Sequence, residues 1–293
     1  MIADHRDDRA LLIVNADDYG LTTGVSEAIL DAHRDGVVTS TSVLALAPGF
    51  ATAASRLDDA PRLGCGAHFA AVGEDPPILS SREIPSLVDA RGRLWSSWRS
   101  FLPRAAAGRI DPDDLAREFG AQYEAIVGAG VVVDHLDTHQ NLHLWPMVAD
   151  VLLDLGERHD IKVVRVTRSR ERSPIGLTVR RLAAGLEQRL EARGWTYAAA
   201  STGLDEAGHL DLTAMVVALG RLASTGAPSS ELATHPGRPN DPDRARYRWG
   251  YQWDDEYAAL RSATVRAAVD DLGFRLGTFG DLAAASRPEG HIA

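Results

Sequence analysis

The feature that most restricts the fold of this chain is a rhythm. Short apolar runs alternate with longer segments whose apolar residues recur at helical spacing. Residues 11–16 are an apolar run of strand type; after a turn at 18–23, Val25, Ala28, Ile29 and Ala32 share one helical face, and Gly36 ends that helix. The same reading predicts further strands at 37–46, 63–69, 131–137, 161–167, 195–200 and 231–234. It predicts helices at 48–57, 146–158, 178–193, 212–224 and 254–272, the last leading through 274–277 to a short terminal helix. Asp111-Pro112 opens another helix, with an N-cap and a first-turn proline ahead of the apolar stripe Leu115, Phe119, Tyr123 and Ile126. Buried strands alternating with helices imply a parallel sheet covered by helices. About seven such units favour an α/β fold closed into an irregular (β/α) barrel: one domain over 11–285, with 1–10 and 286–293 as flexible ends.

The stretch 71–109 interrupts the rhythm. It is rich in proline and glycine yet carries Trp95, Trp98 and Phe101, and aromatics are rare in flexible linkers, so it reads as an insertion over one face. Trp95, Trp98 and Phe101 fall at i, i+3 and i+6, the spacing of one helical side.

Bulk properties remove several function classes. A formal net charge of −10 opposes nucleic-acid binding, which needs a concentrated Lys/Arg surface. The basic clusters 165–172 and 180–193 are interleaved with Glu171, Glu187 and Glu191 and read as solvated helix faces. The single cysteine, Cys65, excludes an intramolecular disulfide framework and fits a reducing compartment; flanked by glycines, it reads as a small packed residue. No segment approaches the ~20 apolar residues that span a bilayer, and residues 1–10 lack the apolar core of a signal peptide. A cytoplasmic location is the expectation.

Three polar clusters each follow a predicted strand: Asn15-Ala16-Asp17-Asp18-Tyr19-Gly20, then Gly66-Ala67-His68, then the segment from Asp134 to His143. A smaller one, Thr234-His235-Pro236-Gly237, follows the seventh. In a parallel barrel the strand C-termini share one face, so these segments converge there. Each has a bland reading: paired aspartates often cap a helix, a lone histidine such as His68 is more often a bonded core residue, and His235 could be a turn residue. The third cluster resists that treatment. Three histidines and two aspartates within ten residues are costly beside an apolar strand unless paired or metal-bound. Imidazole and carboxylate suit zinc or a similar divalent ion; of two adjacent aspartates, one can bind metal while the other acts as general base. A histidine opposite could protonate a leaving amine.

These motifs, in this order, resemble the YdjC-like carbohydrate deacetylases, a family that includes diacetylchitooligosaccharide deacetylases and hopanoid-biosynthesis deacetylase-like proteins. Residues 36–42 and the closing pattern Glu256, Leu260 and Phe279-Gly280-Asp281-Leu282 are also similar to the family, so the resemblance spans about 11–282. It implies an irregular (β/α) barrel that removes an acetyl group from an N-acetylated amino sugar or oligosaccharide, with metal-bound water as nucleophile. By position it implies Asp17 as general base, Asp18, His68 and His139 as ligands of one divalent ion (zinc first, magnesium or another ion as alternatives), and His235 as the acid. Tyr19, Asn141, His143 and Trp145 are expected at the substrate, and His135 and His143 stay open as alternative third ligands. Two departures bear on substrate: Phe69-Ala70-Ala71 stands where the family has a Leu-rich stretch, and Asn141 where many members have histidine. The expected partner is a small carbohydrate, with no nucleic acid or membrane span, and a homodimer is an open expectation. Sugar isomerases and phosphoester hydrolases on similar barrels usually recruit several Glu ligands or a phosphate-binding Gly loop, and neither is found. A non-catalytic carbohydrate-binding protein would be favoured by loss of Asp17 or a ligand, and all are present.

Overall fold

In a computed structural model, which describes residues 9–286, the strands are β1 (Ala10–Tyr19), β2 (Ser40–Val43), β3 (Gly64–Phe69), β4 (His135–Thr138), β5 (Ala200–Thr202), β6 (Ser229–Thr234) and β7 (Phe274–Leu276). All pair in parallel, in the order β4-β3-β2-β1-β6-β5. β7 adds alongside the first residues of β1, below the point where β2 takes over. Parallel bridges Leu136↔Val164 and Val163↔Thr196 carry the curl onward from β4. The sheet thereby curls into an irregular barrel, with helices outside, as one α/β domain. The flexible ends expected at 1–10 and 286–293 lie almost entirely outside the described residues.

Alternation along β1 sorts its side chains into two environments. Leu12, Val14 and Ala16 pack in the large core beneath the helices, whereas Leu11 and Ile13 join Val163, Ala198, Phe279 and Leu282 in a separate cluster. That cluster fills the lower barrel interior, with the terminal helix Phe279–Ala285 contributing Phe279 and Leu282. On the same side of β1, further toward the C-terminus, come Asn15 and Asp17, both buried. The barrel is apolar below and polar above.

Four sequence expectations need correction. The strand expected at 195–200 runs instead at Ala200–Thr202, with only a bridge at Thr196 before it. Residues 161–167 form no full strand, only the bridges at Val163 and Val164, because side chains take the backbone groups beyond them. His143 donates to the Arg165 carbonyl and Ser201 to that of Val166. The helix expected at 254–272 is two, Trp253–Leu260 and Ala263–Asp271, since Ser262 caps the second by accepting from the Val265 N–H. Phe274–Leu276 is a true strand, β7. The Asp111 cap and first-turn proline open the helix Pro112–Gly128 as predicted.

The insertion lies on the domain. Ile84, Leu87 and Phe101 are fully buried, and Glu118 of the helix Pro112–Gly128 accepts the N–H groups of Ile78 and Leu79. Its own helix is Trp98–Ala106. Trp95 precedes that helix, bridging to Val72, so the three aromatics do not share one helical face.

Candidate active site

The upper end of the barrel opens into a cavity of about 340 Å³ lined by Asp17, Asp18, His68, His139 and His235 among others. Their convergence follows from the strand ends. β1 and β2 slip register between Ala16 and Tyr19, and Asp18 takes a left-handed backbone with φ 68°. That slip lets adjacent aspartates share one cavity although successive strand residues face opposite sides. The same slip sends Tyr19 outward, fully buried, its hydroxyl donating to the Ala53 carbonyl at 2.8 Å. Tyr19 thus packs outside the cavity lining, away from where a substrate contact was expected.

His68 on β3 is in register with Asp137 on β4, and its Nδ1 donates to Asp137 Oδ1 at 2.9 Å. The other nitrogen, Nε2, lies 3.5 Å from Asp18 Oδ1. His139 follows β4 directly, with Nδ1 3.3 Å from the same oxygen. Asp18 Oδ1 is buried and has no hydrogen-bond partner. The three residues offer one ligand atom each, all within 4.8 Å of one another. Burial alone would raise the Asp18 carboxyl, but His139, His68 and His235 hold it at about 2. Burial works against protonation of His68, yet Asp137, Asp17 and Asp18 lift it to about 9. The site therefore stabilises positive charge.

A second buried trio, Asp17, His68 and Asp137, also lies within ligand range. Its cation is already supplied by Arg165, which is wholly buried. Arg165 donates from Nη1 to Asp17 Oδ1 at 2.6 Å and to Ser42 Oγ at 3.1 Å, from Nη1 also to Asp137, and from Nε to Glu231 at 2.6 Å. The sequence reading placed Arg165 on a solvated face; the structure places it inside the barrel. Its neighbourhood carried the signal, a single charge within Val163-Val164-Arg165-Val166 and on the parity of Val163. The helical cluster of 180–193 does meet solvent at Arg180, Arg181, Arg189 and Arg193.

Asp17 Oδ1 is thus held by Arg165 and by the Asn15 amide at 2.7 Å, while Oδ2 lies 3.6 Å from His235 Nε2. His235, just past β6, is fixed by its own N–H, which donates to buried Glu256 at 2.6 Å. Its Nδ1 has no partner.

Of the alternative third ligands, His135 is turned away: its Nδ1 donates to Asp134 at 2.6 Å and its ring lies against Phe279. Gly66 makes room for it, since a Cβ there would stand 2.2 Å from the His135 ring. His143 is fully buried outside the cavity lining, between Thr138 Oγ1 at 2.8 Å and the Arg165 carbonyl at 2.9 Å. Both of its ring nitrogens are thus occupied by the barrel wall and neither faces Asp18 or the cavity. Asn141 does line the cavity and accepts from Thr167 at 3.0 Å; Trp145 lines a neighbouring cavity of about 590 Å³ that shares Trp98 and Asn141 with it.

An aromatic wall went unread in the sequence. Trp249 and Tyr251 line the cavity, Trp249 against His139 with centroids 5.2 Å apart and Tyr251 against His235 at 4.9 Å. Tyr247, Trp249, Tyr251 and Trp253 recur at every second residue, which is the signal that could have revealed it. Cys65 is the small packed residue expected, and burial pushes its thiol up to about 12. Among the described residues, no helix is long and apolar enough to cross a membrane.

The profile of a family described as YdjC-like protein matches residues 11–271. A chitooligosaccharide deacetylase of Proteus mirabilis (strain HI4320) is 30% identical over 276 residues, covering 93% of this chain and 98% of that one. A carbohydrate deacetylase of Brevibacillus brevis (strain 47) is 34% identical over 152 residues, 52% of this chain and 58% of that one. Among solved structures, a protein of Enterococcus faecalis V583 provisionally named for cellobiose-phosphate cleavage superposes with a TM-score of 0.77 at 25% identity, covering 94% of this chain and 99% of that one.

Proposed function

The chain belongs to the YdjC-like family, and on that premise we propose that it is a metal-dependent carbohydrate deacetylase acting on an N-acetylated amino sugar. One observation carries the reading: a three-ligand group, a separately held carboxylate and a histidine face a single cavity. The donor set of two imidazoles and a carboxylate, which Asp18, His68 and His139 would supply, fits zinc. Charge supports a divalent ion as well, for Asp17, Asp18, Asp137 and Glu231 are all buried, and Arg165 pairs with Asp17, Asp137 and Glu231 but not with Asp18. Asp137, bonded to His68, orients the ring in the way that carboxylate partners of metal-bound histidines do.

When bound, the ion would supply Lewis acidity at the acetyl carbonyl and acidify a water. The remaining work falls to the chain. Asp17, anchored through Oδ1 by Arg165 and Asn15, keeps Oδ2 to accept the proton of the attacking water. His235, 3.6 Å from that oxygen, stands where a proton can be passed to the departing amine. Trp249 and Tyr251 wall the cavity with ring faces suited to a sugar.

The test is acetate release from N-acetylglucosamine oligomers. Asp17→Asn preserves shape and hydrogen bonding, so zinc content should stay at the parent level while turnover falls ~10²-fold or more. Equal rates for variant and parent would remove Asp17 as the base.

A further inference from the structure

His139 is followed by two residues in an uncommon backbone state. Gln140 has φ 55°, ψ 25° and Asn141 φ 53°, ψ 35°, both left-handed and both carrying side chains. Two such residues in succession persist only where their surroundings hold them. Gln140 is held by the insertion: its Oε1 accepts the Trp98 N–H at 2.8 Å. That N–H belongs to the first turn of the helix Trp98–Ala106, where no helical carbonyl can take it. Asn141 is held by Thr167. The other flank of His139 is tied to the same insertion. Trp249, packed on the His139 ring, donates its Nε1 to Glu74 at 3.0 Å, and the neighbouring Asp75 accepts from the Tyr247 hydroxyl at 2.8 Å.

We propose that Gln140 is a positioning residue that couples the insertion helix at the cavity mouth to the placement of the ligand His139. The inference rests on reading Asp18, His68 and His139 as the metal site. It gives the insertion a role beyond covering one face, because Trp98 and Arg99 at the start of its helix line the cavity. Whatever steadies Trp98 then steadies His139, and metal binding in turn steadies the helix, since such coupling is reciprocal.

The experiment is zinc titration of the chelator-stripped full chain, paired with amide hydrogen exchange over residues 95–106 and over β1 as a folding control. Gln140→Ala removes the acceptor of the Trp98 N–H and should weaken zinc about tenfold, the size of an ordinary coupling between linked sites. It should also speed exchange at the start of the helix while β1 stays protected. Gln140→Glu keeps an acceptor at the same reach and should bind zinc like the parent. Gln140→Gly relaxes the left-handed backbone but lacks the acceptor, so it should weaken zinc as Ala does. Parent-like affinity in Gln140→Ala overturns the proposal. Parent-like affinity in Gln140→Gly alone also overturns it, because backbone strain and not the hydrogen bond would then set the ligand. His139→Ala separates the levels. Full zinc retention there would overturn the ligand set and this inference together; loss there with none in Gln140→Ala would overturn the inference alone.

Discussion

At His143, burial decides the protonation state. Desolvation lowers its imidazole from 6.5 to about 4, with Nε2 donating to the Arg165 carbonyl and Nδ1 facing the Thr138 hydroxyl. The unfolded chain then binds a proton more readily than the folded one between those two values. The stabilising contribution is complete above pH 6.5 and is lost as the pH falls toward 4, by about 3 kcal/mol in all. Urea unfolding of chelator-treated protein at pH 7 and pH 4.5 reads this directly. His143→Gln should be less stable at pH 7 yet lose less on acidification, and parallel losses in variant and parent would clear His143 of the effect. The same residue shows where residue-level reading stops. Asp17, Asp18, His68, His139 and His235 could be picked out because their types suit one chemistry and each follows a strand. Tyr19 and His143 sit in the same motifs, but a slip of one residue in β1 and the turn after β4 aim them elsewhere. Facing at a strand end is set by the ladder, which periodicity alone does not contain.

The elements behave similarly, with caps more legible than interiors. Asp111 and Pro112 mark their helix because the signal is local, and the short helix after Phe274–Leu276 is likewise fixed by a capping box between Thr278 and Asp281. The stretch 161–167 has the composition of a strand but loses its ladder to side chains. In the insertion, the even spacing of Trp95, Trp98 and Phe101 concealed different jobs. Phe101 is fully buried, Trp95 anchors through its Nε1 to the Ser86 carbonyl at 3.2 Å, and Trp98 lines both cavities. Phe101→Ala should therefore cost ~3–5 kcal/mol of stability while leaving KM near the parent value in the folded fraction. Trp98→Ala should do the converse, raising KM most for the longer oligosaccharides with a small change in stability. Thermal unfolding and steady-state acetate release on both variants distinguish the roles. A large stability loss in Trp98→Ala with unaltered KM would return Trp98 to packing.

Across the whole molecule, the barrel was legible as an alternation of strands and helices. Its polar interior was legible only in part: the apolar run around Arg165 marks a buried charge, but no local pattern names the partners that close around it. Arg165 shows what closure adds. From one residue it reaches Asp17 on β1, Ser42 on β2, Asp137 on β4 and Glu231 on β6, so the guanidinium ties the barrel wall across its interior. Those carboxylates hold Arg165 firmly charged despite burial, and burial leaves the Glu231 carboxyl above its ordinary range even beside the guanidinium. Such a buried network is balanced, not surplus: taking out the cation strands the carboxylates, at a cost of ~3–5 kcal/mol. Arg165→Met should thus unfold well below the parent temperature. It should also release Asp17 from its anchor, so that turnover falls further than the folded fraction explains. Adding Glu231→Gln removes one of the stranded charges and should recover part of the stability but none of the turnover, because Asp17 still lacks its tether. Thermal unfolding and acetate release on the single and double variants test both halves. A double variant as unstable as Arg165→Met would show that Glu231 takes up a proton without cost, and parent-like turnover in Arg165→Met would detach the network from catalysis.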